Sequence, residues 1–314
     1  MWNKFKYYFK SLIYLFLLFL IYELFIHYPL LDKKIDYRKN DSSLEQTIQS
    51  VEKTSKDNFQ IYFIDVGQAD CILIQNNGEY SLIDAGNYLD GKKLIKYFHS
   101  LGIEHFQNVI GTHAHEDHIG GMSQIINNFS IDHFYMPDVV SDINSFSNII
   151  RALERKGMEF ETLDIDSSFT MANTKFLVLW VSNHEEDLND TSIVLKVLYG
   201  KTSYLLTADA SSNVERQILD KDLKSDVLKV GHHGSKYSSS AQFLKKVSPK
   251  YAVISVLKDN EYGFPHQVVL DKLERLNVSV FRTDLDGTII ASSDGENIYF
   301  DKIHTDTNVI QKNP

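Results

Sequence analysis

The segment 112–121, Thr-His-Ala-His-Glu-Asp-His-Ile-Gly-Gly, limits what this chain can fold into more than any other part of it. It follows a short apolar run, which predicts a strand that ends at Thr112. Alternate side chains of an extended segment point to one side, and a helical turn after them brings later side chains to the same pocket. Neutral imidazoles and a carboxylate suit zinc or a similar divalent ion. The motif therefore predicts a site for two metal ions, formed by His113, His115, Asp117 and His118.

Composition narrows the class of protein. The chain has 314 residues, enough for one large domain or two ordinary ones, with the apolar and charged fractions of a globular protein. Cys71 is the only cysteine, which excludes an intramolecular disulfide and a metal site rich in thiolates. A formal net charge of -10 argues against a protein that coats nucleic acid through a broad basic face. A phosphate-bearing substrate would be held by the metals and a few local cations.

The N-terminal residues 1–31 differ in composition from the rest, because several lysines precede a long apolar run. About 20 apolar residues are needed to cross a bilayer, so we predict one transmembrane helix here, with a cleaved signal peptide as the alternative. Lysine and arginine are nearly balanced on the two sides of the run, so their count does not decide the orientation. Residues 32–57 are polar and are predicted to be a linker, and residues 58–314 a globular domain.

From Phe59 onward, short β-rich runs come first, and helices and strands then alternate. The predicted strands are 59–66, 71–75, 80–84, 109–112, 131–136, 175–180, 192–199, 202–208, 227–230, 251–255, 278–282 and 288–292. The predicted helices are 92–101, 145–156, 213–219, 241–247 and 267–276. Two such halves indicate an α/β fold in which two sheets pack face to face with helices outside, a four-layer αββα sandwich.

Polar residues follow several predicted strands, where loops at one edge of a sheet can gather side chains around a pocket. Asp84, Asp209 and the pair His232-His233 have such positions, as the motif itself does. Earlier in the chain, Asp65, Gln68 and Asp70 fit either the site itself or a structural turn, and we favour a hydrogen-bonded turn that shapes the wall of the pocket.

These residues, in this order, resemble the metallo-β-lactamase superfamily over nearly all of 59–295. The runs that carry this resemblance are Leu-Ile-Asp-Ala-Gly at 82–86, His-x-His-x-Asp-His at 113–118 and Leu-Thr-Ala-Asp-Ala at 206–210. Further runs are similar to the hydrolase domain of ComEC-type competence proteins. They are Phe-Ile-Asp-Val-Gly-Gln-Ala-Asp at 63–70, Asn-Asp-Thr-Ser at 189–192, Leu-Lys-Val-Gly-His-His-Gly-Ser at 228–235 and Asn-Glu-Tyr-Gly-Phe-Pro-His at 260–266.

The resemblance implies a role for each candidate metal residue. One ion would be bound by His113 and His115, and the other by Asp117, His118 and one histidine of the late pair. Asp209 would bridge the ions, and Asp84 would orient the ligands from behind. We assign His233 to the metal and His232 to catalysis, and the reverse assignment stays open. Many members place a third histidine on the first ion where this chain has 189–192, so we expect that ion to have fewer protein ligands.

The resemblance also implies a reaction. Two cations that share a carboxylate activate water near neutral pH, which is machinery for hydrolysis. We expect zinc, with manganese as the alternative. The predicted catalytic residues are the carboxylates Asp117 and Asp209, which would orient the nucleophile, and His232 and His266, which would donate a proton to the leaving oxygen.

The first functional expectation is a membrane-tethered phosphodiesterase of competence and DNA uptake, with the hydrolase domain outside the cytoplasm and DNA as a substrate. Two alternatives remain: an esterase of envelope material such as phosphorylcholine, and a non-catalytic module that binds nucleic acid. The intact metal motif argues against the last, because a domain that only binds has no need for an open metal site.

Overall fold

The structure is a computed structural model that describes residues 59–184 and 186–303, all within the unit Thr54–Pro314. The predicted transmembrane helix (1–31) and the predicted linker (32–57) lie outside the described residues. Within the described part of the chain, no helix is both long enough and apolar enough to span a bilayer.

The strands form two mixed sheets of seven strands each. In chain order they are β1 (Phe59–Phe63), β2 (Ile72–Asn76), β3 (Glu79–Ile83), β4 (His105–Ile110), β5 (Ser130–Tyr135), β6 (Ser168–Met171), β7 (Thr174–Trp180), β8 (Val194–Tyr199), β9 (Thr202–Leu206), β10 (Val227–Lys229), β11 (Tyr251–Ile254), β12 (Ser279–Arg282), β13 (Thr288–Ser293) and β14 (Ile298–Ile303). The first sheet has the order β14-β13-β1-β2-β3-β4-β5, and the second β12-β11-β10-β9-β8-β7-β6. Strands β3 to β5 are parallel to one another, as are β9 to β12.

Helices lie between the strands along the chain. They are α1 (Gly91–Ser100), α2 (Glu116–Ile119), α3 (Met122–Asn128), α4 (Asn144–Lys156), α5 (Ser212–Gln217), α6 (Ala241–Val247), α7 (Gln267–Arg275) and α8 (Thr283–Asp286). Helices α1 to α3 and α5 to α7 connect parallel strands. Short 3-10 helices cover Tyr88–Asp90, Leu188–Thr191 and Gly231–Gly234. Side-chain caps begin two of the helices: Ser211 accepts from the amide of Asn213 at α5, and Ser240 from that of Phe243 at α6.

Three apolar cores lie between the layers. The middle core joins the two sheets, with residues such as Phe63 of β1 and Val197 of β8. One outer core packs α1, α3 and α4 on the first sheet, and the other packs α5, α6 and α7 on the second. This layering confirms the predicted sandwich of two sheets between helices.

The structure differs from the predicted elements mainly at edges and near the motif. Strands β6 and β14 lie at sheet edges and were not predicted, because edge strands carry weak apolar patterns. Helix α3 was also not predicted, since the glycine pair before it reads as a helix stop. Strand β4 begins at His105 rather than at 109, and it ends at Ile110.

Candidate metal centre

The sheet topology brings four strand ends to one place. Strands β3 and β4 are parallel neighbours, so the segments after them, with Asp84 and His113, leave the first sheet at one edge. Strands β9 and β10 are likewise parallel, so Asp209 and the late histidines leave the second sheet together. The amide of Ile193 donates to the carbonyl of Thr112 over 2.9 Å and links the two halves. The predicted clustering of these residues is therefore what the fold produces.

Four predicted residues form a tight, mostly buried group, which we call the ligand group: Asp117, His118, Asp209 and His233. One atom of each residue, a carboxylate oxygen or an imidazole nitrogen, lies within 4.8 Å of the others. His118 Nε2 is 3.3 Å from Asp209 Oδ1, and His233 Nε2 is 3.3 Å from Asp117 Oδ2. Of the late pair, His233 is the residue that lies in this group.

Hydrogen bonds behind the two imidazoles leave their Nε2 atoms pointing into the group. His118 Nδ1 donates to Asp84 Oδ2 over 2.7 Å, and His233 Nδ1 donates to the carbonyl of Ser255 over 2.9 Å. A neutral ring that donates from Nδ1 has its lone pair on Nε2. Both Nε2 atoms are buried without a hydrogen-bond partner among the described residues, as is Asp209 Oδ1. Unpaired lone pairs that face carboxylates at this distance fit a divalent cation between them.

The charges in the group favour a cation as well. Burial alone would raise the pKa of Asp209, but the charges of His118 and His233 outweigh burial and hold that pKa well below its usual value. Burial alone would lower the pKa of His118, but Asp209, Asp84 and Asp117 raise it well above its usual value. The carboxylates thus stabilise positive charge at this position, which a proton or a metal ion can supply.

Asp84 lies directly behind the ligand group. Its carboxylate accepts from the amide of Thr112 over 2.9 Å, from the Thr112 hydroxyl over 2.7 Å and from His118 Nδ1. The side chain is 1% exposed. Asp84 therefore fixes both the start of the motif and the orientation of the His118 ring.

The other two motif histidines lie beside the ligand group rather than in it. His113 Nε2 is 3.1 Å from His115 Nδ1, and the ring centroids of His113 and His118 are 4.1 Å apart. Burial and the charge of His118 lower the pKa of His113 well below its usual value, so its ring is neutral and able to bind a metal. These two rings are thus the candidate ligands of a first ion.

The segment 189–192 packs against the loop that carries Asp209. Ser192 Oγ accepts from the amide of Asp209 over 3.3 Å, and Asp190 Oδ1 accepts from the amide of Ser211 over 3.1 Å. Its polar side chains therefore hold the loop that carries Asp209.

The two predicted proton donors, His232 and His266, lie at the rim. His232 Nε2 is 3.7 Å from Asp209 Oδ2, and its side chain is 24% exposed, against 1% for His233. The amide of Lys236 donates to His266 Nδ1 over 3.1 Å, so a neutral His266 carries its proton on Nε2. Both rings thus remain accessible from outside.

Close backbone approach explains the glycines that end the motif. A Cβ atom on Gly120 would lie 2.4 Å from the amide nitrogen of Tyr88, and one on Gly121 would lie 2.3 Å from the carbonyl oxygen of Ala85. The loop that carries Asp84 therefore packs directly on this helical turn. The glycines thus permit close contact between the two metal-site loops.

Left-handed backbone recurs at the site in residues other than glycine. The φ angles are 58° at Asp84, 45° at Ala208, 50° at His232 and 51° at His233. Such conformations cost about 1–3 kcal/mol each and persist where the surrounding structure imposes them. These conformations reduce the stability of the fold, and they set the directions of the Asp84, His232 and His233 side chains.

A buried ion pair behind the site is a functional feature that the sequence did not reveal. Lys229 Nζ is 2.9 Å from Asp70 Oδ2, and the two side chains are 0% and 1% exposed. Asp70 Oδ1 is 3.8 Å from His233 Nδ1, and the amide of Asp70 donates to the carbonyl of Asp117 over 3.1 Å. Asp70 is therefore more than a turn residue, because it contacts two segments of the ligand group from behind.

Gln68 and Glu215 hold loops around the site. Gln68 Oε1 accepts from the amide of Leu257 over 3.2 Å. The buried carboxylate of Glu215 accepts from the amides of Ser239 and Ser240, which occupies the donors that a phosphate at the start of α6 would need. No local motif signals Glu215, since its partners lie in a distant segment.

Comparison with known proteins identifies the family. The family model described as the metallo-beta-lactamase superfamily matches residues 64–256. The chain belongs to this superfamily. This superfamily domain carries candidate divalent-metal ligands, as expected of a metal-dependent hydrolase.

Several curated relatives are ComEC-type competence proteins. ComE operon protein 3 of Bacillus subtilis is 31% identical over 252 residues, which are 73% of this chain and 32% of that protein. Recombination protein 2 of Haemophilus influenzae is 32% identical over 252 residues, 77% of this chain and 30% of that protein. This chain thus spans about a third of the length of these relatives.

A solved structure supports the fold alone. The metallo-beta-lactamase fold protein YhfI of Bacillus subtilis matches with a TM-score of 0.53 at 14% identity, covering 78% of this chain and 100% of that one.

Proposed function

We propose that this chain is a metal-dependent phosphodiesterase that cleaves nucleic acid during DNA uptake. The observation that carries the proposal is the convergence of the ligand group from three separate segments, with imidazole Nε2 atoms and carboxylate oxygens facing one another. The names of the relatives, a competence protein and a recombination protein among them, favour a nucleic-acid substrate.

Asp117, His118, Asp209 and His233 would hold one ion, and His113 and His115 a second, with Asp209 between them. Zinc is the metal that imidazole and carboxylate ligands favour, and manganese is the alternative. A bound divalent cation supplies Lewis-acid chemistry, which polarises a phosphoryl oxygen and lowers the pKa of water.

Two of these ligands and two histidines at the rim would position the attacking water and protonate the leaving oxygen. The carboxylates of Asp117 and Asp209 orient an attacking water by accepting its hydrogen bonds. His266 presents its Nε2 proton to the leaving oxygen, because the Lys236 amide keeps Nδ1 as an acceptor. His232 lies beside Asp209 and offers a second donor to the same side.

The proposal is tested by incubating the full chain, loaded with zinc or manganese, with DNA, RNA, small phosphodiesters, phosphorylcholine esters and a β-lactam. We expect cleavage of phosphodiester bonds in nucleic acid and no opening of the β-lactam ring. Cleavage confined to phosphorylcholine esters, or no cleavage of any phosphodiester, would refute the proposal.

We also propose that residues 1–31 anchor the protein in a membrane with the hydrolase domain outside the cytoplasm. The apolar run supports the anchor, although its flanking charges are balanced. Protease treatment of intact cells is expected to digest the domain 58–314, while a cytoplasmic marker protein stays intact. A domain that is protected until the cells are lysed would reverse the orientation.

A further inference from the structure

The loop before α7 presents aromatic rings beside the ligand group. Tyr262 and Phe264 are stacked, with ring centroids 5.4 Å apart and an angle of 21° between the ring planes. Phe264 in turn contacts His232 edge to face, with centroids 5.6 Å apart. His232 Nε2 lies 3.7 Å from Asp209 Oδ2. The rings thus form a continuous path, which we call the aromatic shelf, from the ligand group outward to Tyr262.

The outer ring of the aromatic shelf is accessible to solvent. Tyr262 is 58% exposed, although its ring packs on Phe264. The charge of Glu261, burial and the charge of Asp117 raise the pKa of the Tyr262 phenol. The exposed ring is therefore linked to the ligand group through Phe264 and His232.

Hydrogen bonds hold the shelf in a fixed position. Asn260 Oδ1 accepts from the amides of Tyr262 and Phe264, and Asn260 Nδ2 donates to the carbonyls of Leu257 and Phe264. The amide of His266 donates to the carbonyl of Gly234, which ties the loop to the segment that carries the late histidines. The aromatic rings are thus preorganised relative to the ligand group, so little conformational entropy is lost when a ligand stacks on them.

The negative net charge of the chain means that affinity for nucleic acid must come mainly from contacts other than ion pairs with phosphates. With a net charge of -10, the chain lacks the basic face that usually gives nucleic-acid affinity. Two exposed cations lie near the shelf: Lys258, four residues before Tyr262, and Lys236, whose amide donates to His266. Two cations, however, neutralise few phosphates. Stacking of bases on aromatic rings contributes affinity that does not depend on positive charge.

We propose that Tyr262, supported by Phe264, stacks on a nucleobase adjacent to the scissile phosphodiester, so that the site selects unpaired, single-stranded nucleic acid. This inference rests on the proposed phosphodiesterase function. A base in a duplex is covered on both faces by its neighbours, so only an unpaired base can stack on the shelf. A flat stack of two near-parallel rings suits a planar base better than it suits a quaternary ammonium group, which is bound by several rings arranged around it as a cage.

The test is equilibrium binding of the full chain to two single strands of equal length with phosphorothioate linkages, which slow cleavage. One strand carries thymine at every position, and the other carries abasic sites. We expect Tyr262→Leu to weaken binding of the thymine strand about tenfold and to leave binding of the abasic strand unchanged. Tyr262→Phe keeps the ring and should bind both strands as the parent does.

The matched control is Tyr299→Leu. Tyr299 is 56% exposed, and it lines a separate cavity with Thr202, Asp226 and Tyr251, at the opposite ends of β9, β10 and β11 from the ligand group. Loss of this tyrosine should change binding of neither strand. An exposed tyrosine contributes little to the core, so all three variants are expected to fold.

The outcomes separate this inference from the proposed function. If Tyr262→Leu weakens binding of both strands equally, or of neither, the nucleobase shelf is overturned. Binding that depends on the base and on Tyr262, without cleavage of any strand by the metal-loaded parent, would support the shelf and refute the phosphodiesterase. If the parent and Tyr262→Leu cleave single strands at the same rate, the phosphodiesterase is supported and the shelf is refuted.

Discussion

Asp209→Asn is expected to lower the rate of phosphodiester hydrolysis by at least about 10- to 100-fold, the loss typical of changes in the shell behind a metal. Asp209 is 2% exposed, and its carboxylate lies 3.3 Å from His118 and 3.8 Å from His233. The amide keeps the size of the side chain but removes the negative charge that the two imidazoles and a cation would share. The rate is measured with the metal-loaded full chain, and circular dichroism reports the fold.

The control for Asp209→Asn is His184→Ala, because His184 is exposed in a loop. This variant should hydrolyse the substrate at the parent rate. If Asp209→Asn also has the parent rate while the protein still binds its metals, a bridging role for this carboxylate is wrong.

Lys229→Met is expected to lower the free energy of unfolding by about 3–5 kcal/mol, because it leaves the Asp70 carboxylate buried without its partner. Lys229 Nζ lies 2.9 Å from Asp70 Oδ2, and both side chains are fully buried. The double variant Lys229→Met with Asp70→Asn removes both charges and should recover part of the loss. Denaturant unfolding of the full chain gives the three values.

A surface pair provides the comparison. Lys201 and Glu296 form an ion pair at 2.5 Å, but their side chains are 77% and 64% exposed. Lys201→Met should therefore change the free energy of unfolding by no more than about 1 kcal/mol. Equal losses for Lys201→Met and Lys229→Met would show that burial does not strengthen the inner pair.

Local spacing was sufficient to predict much of the site. The spacing of the motif at 113–118 predicts that its side chains lie near one another, because a strand end followed by a helical turn brings them to one pocket. Asp84 and Asp209 were predicted from their positions after apolar strands, since parallel strand ends share one edge. The two-sheet sandwich followed from the same alternation of strands and helices.

Contacts between distant segments could not be predicted in this way. Lys229 reads as a polar residue in a short strand, and only the packing of β10 against the loop of Asp70 reveals the ion pair. Glu215 likewise has the pattern of a surface helix residue, but its carboxylate is buried against Ser239 and Ser240. Partner choice of this kind depends on tertiary structure and leaves no periodic signal in the sequence.

The choice between His232 and His233 also required the structure. The two residues are adjacent, so spacing alone treats them alike. Left-handed backbone at both positions turns His233 inward, where Ser255 fixes its ring, and leaves His232 at the rim beside Phe264.

Calorimetric titration of the metal-stripped full chain with zinc and with manganese shows whether these side chains form a metal centre. We expect the ligand group to bind one ion tightly, and His113 and His115 to bind a second ion more weakly. His233→Gln should lose the tight ion, whereas His184→Gln should keep it. If the parent chain binds neither metal, or if the parent and His233→Gln bind equal amounts, the ligand group is not a metal centre.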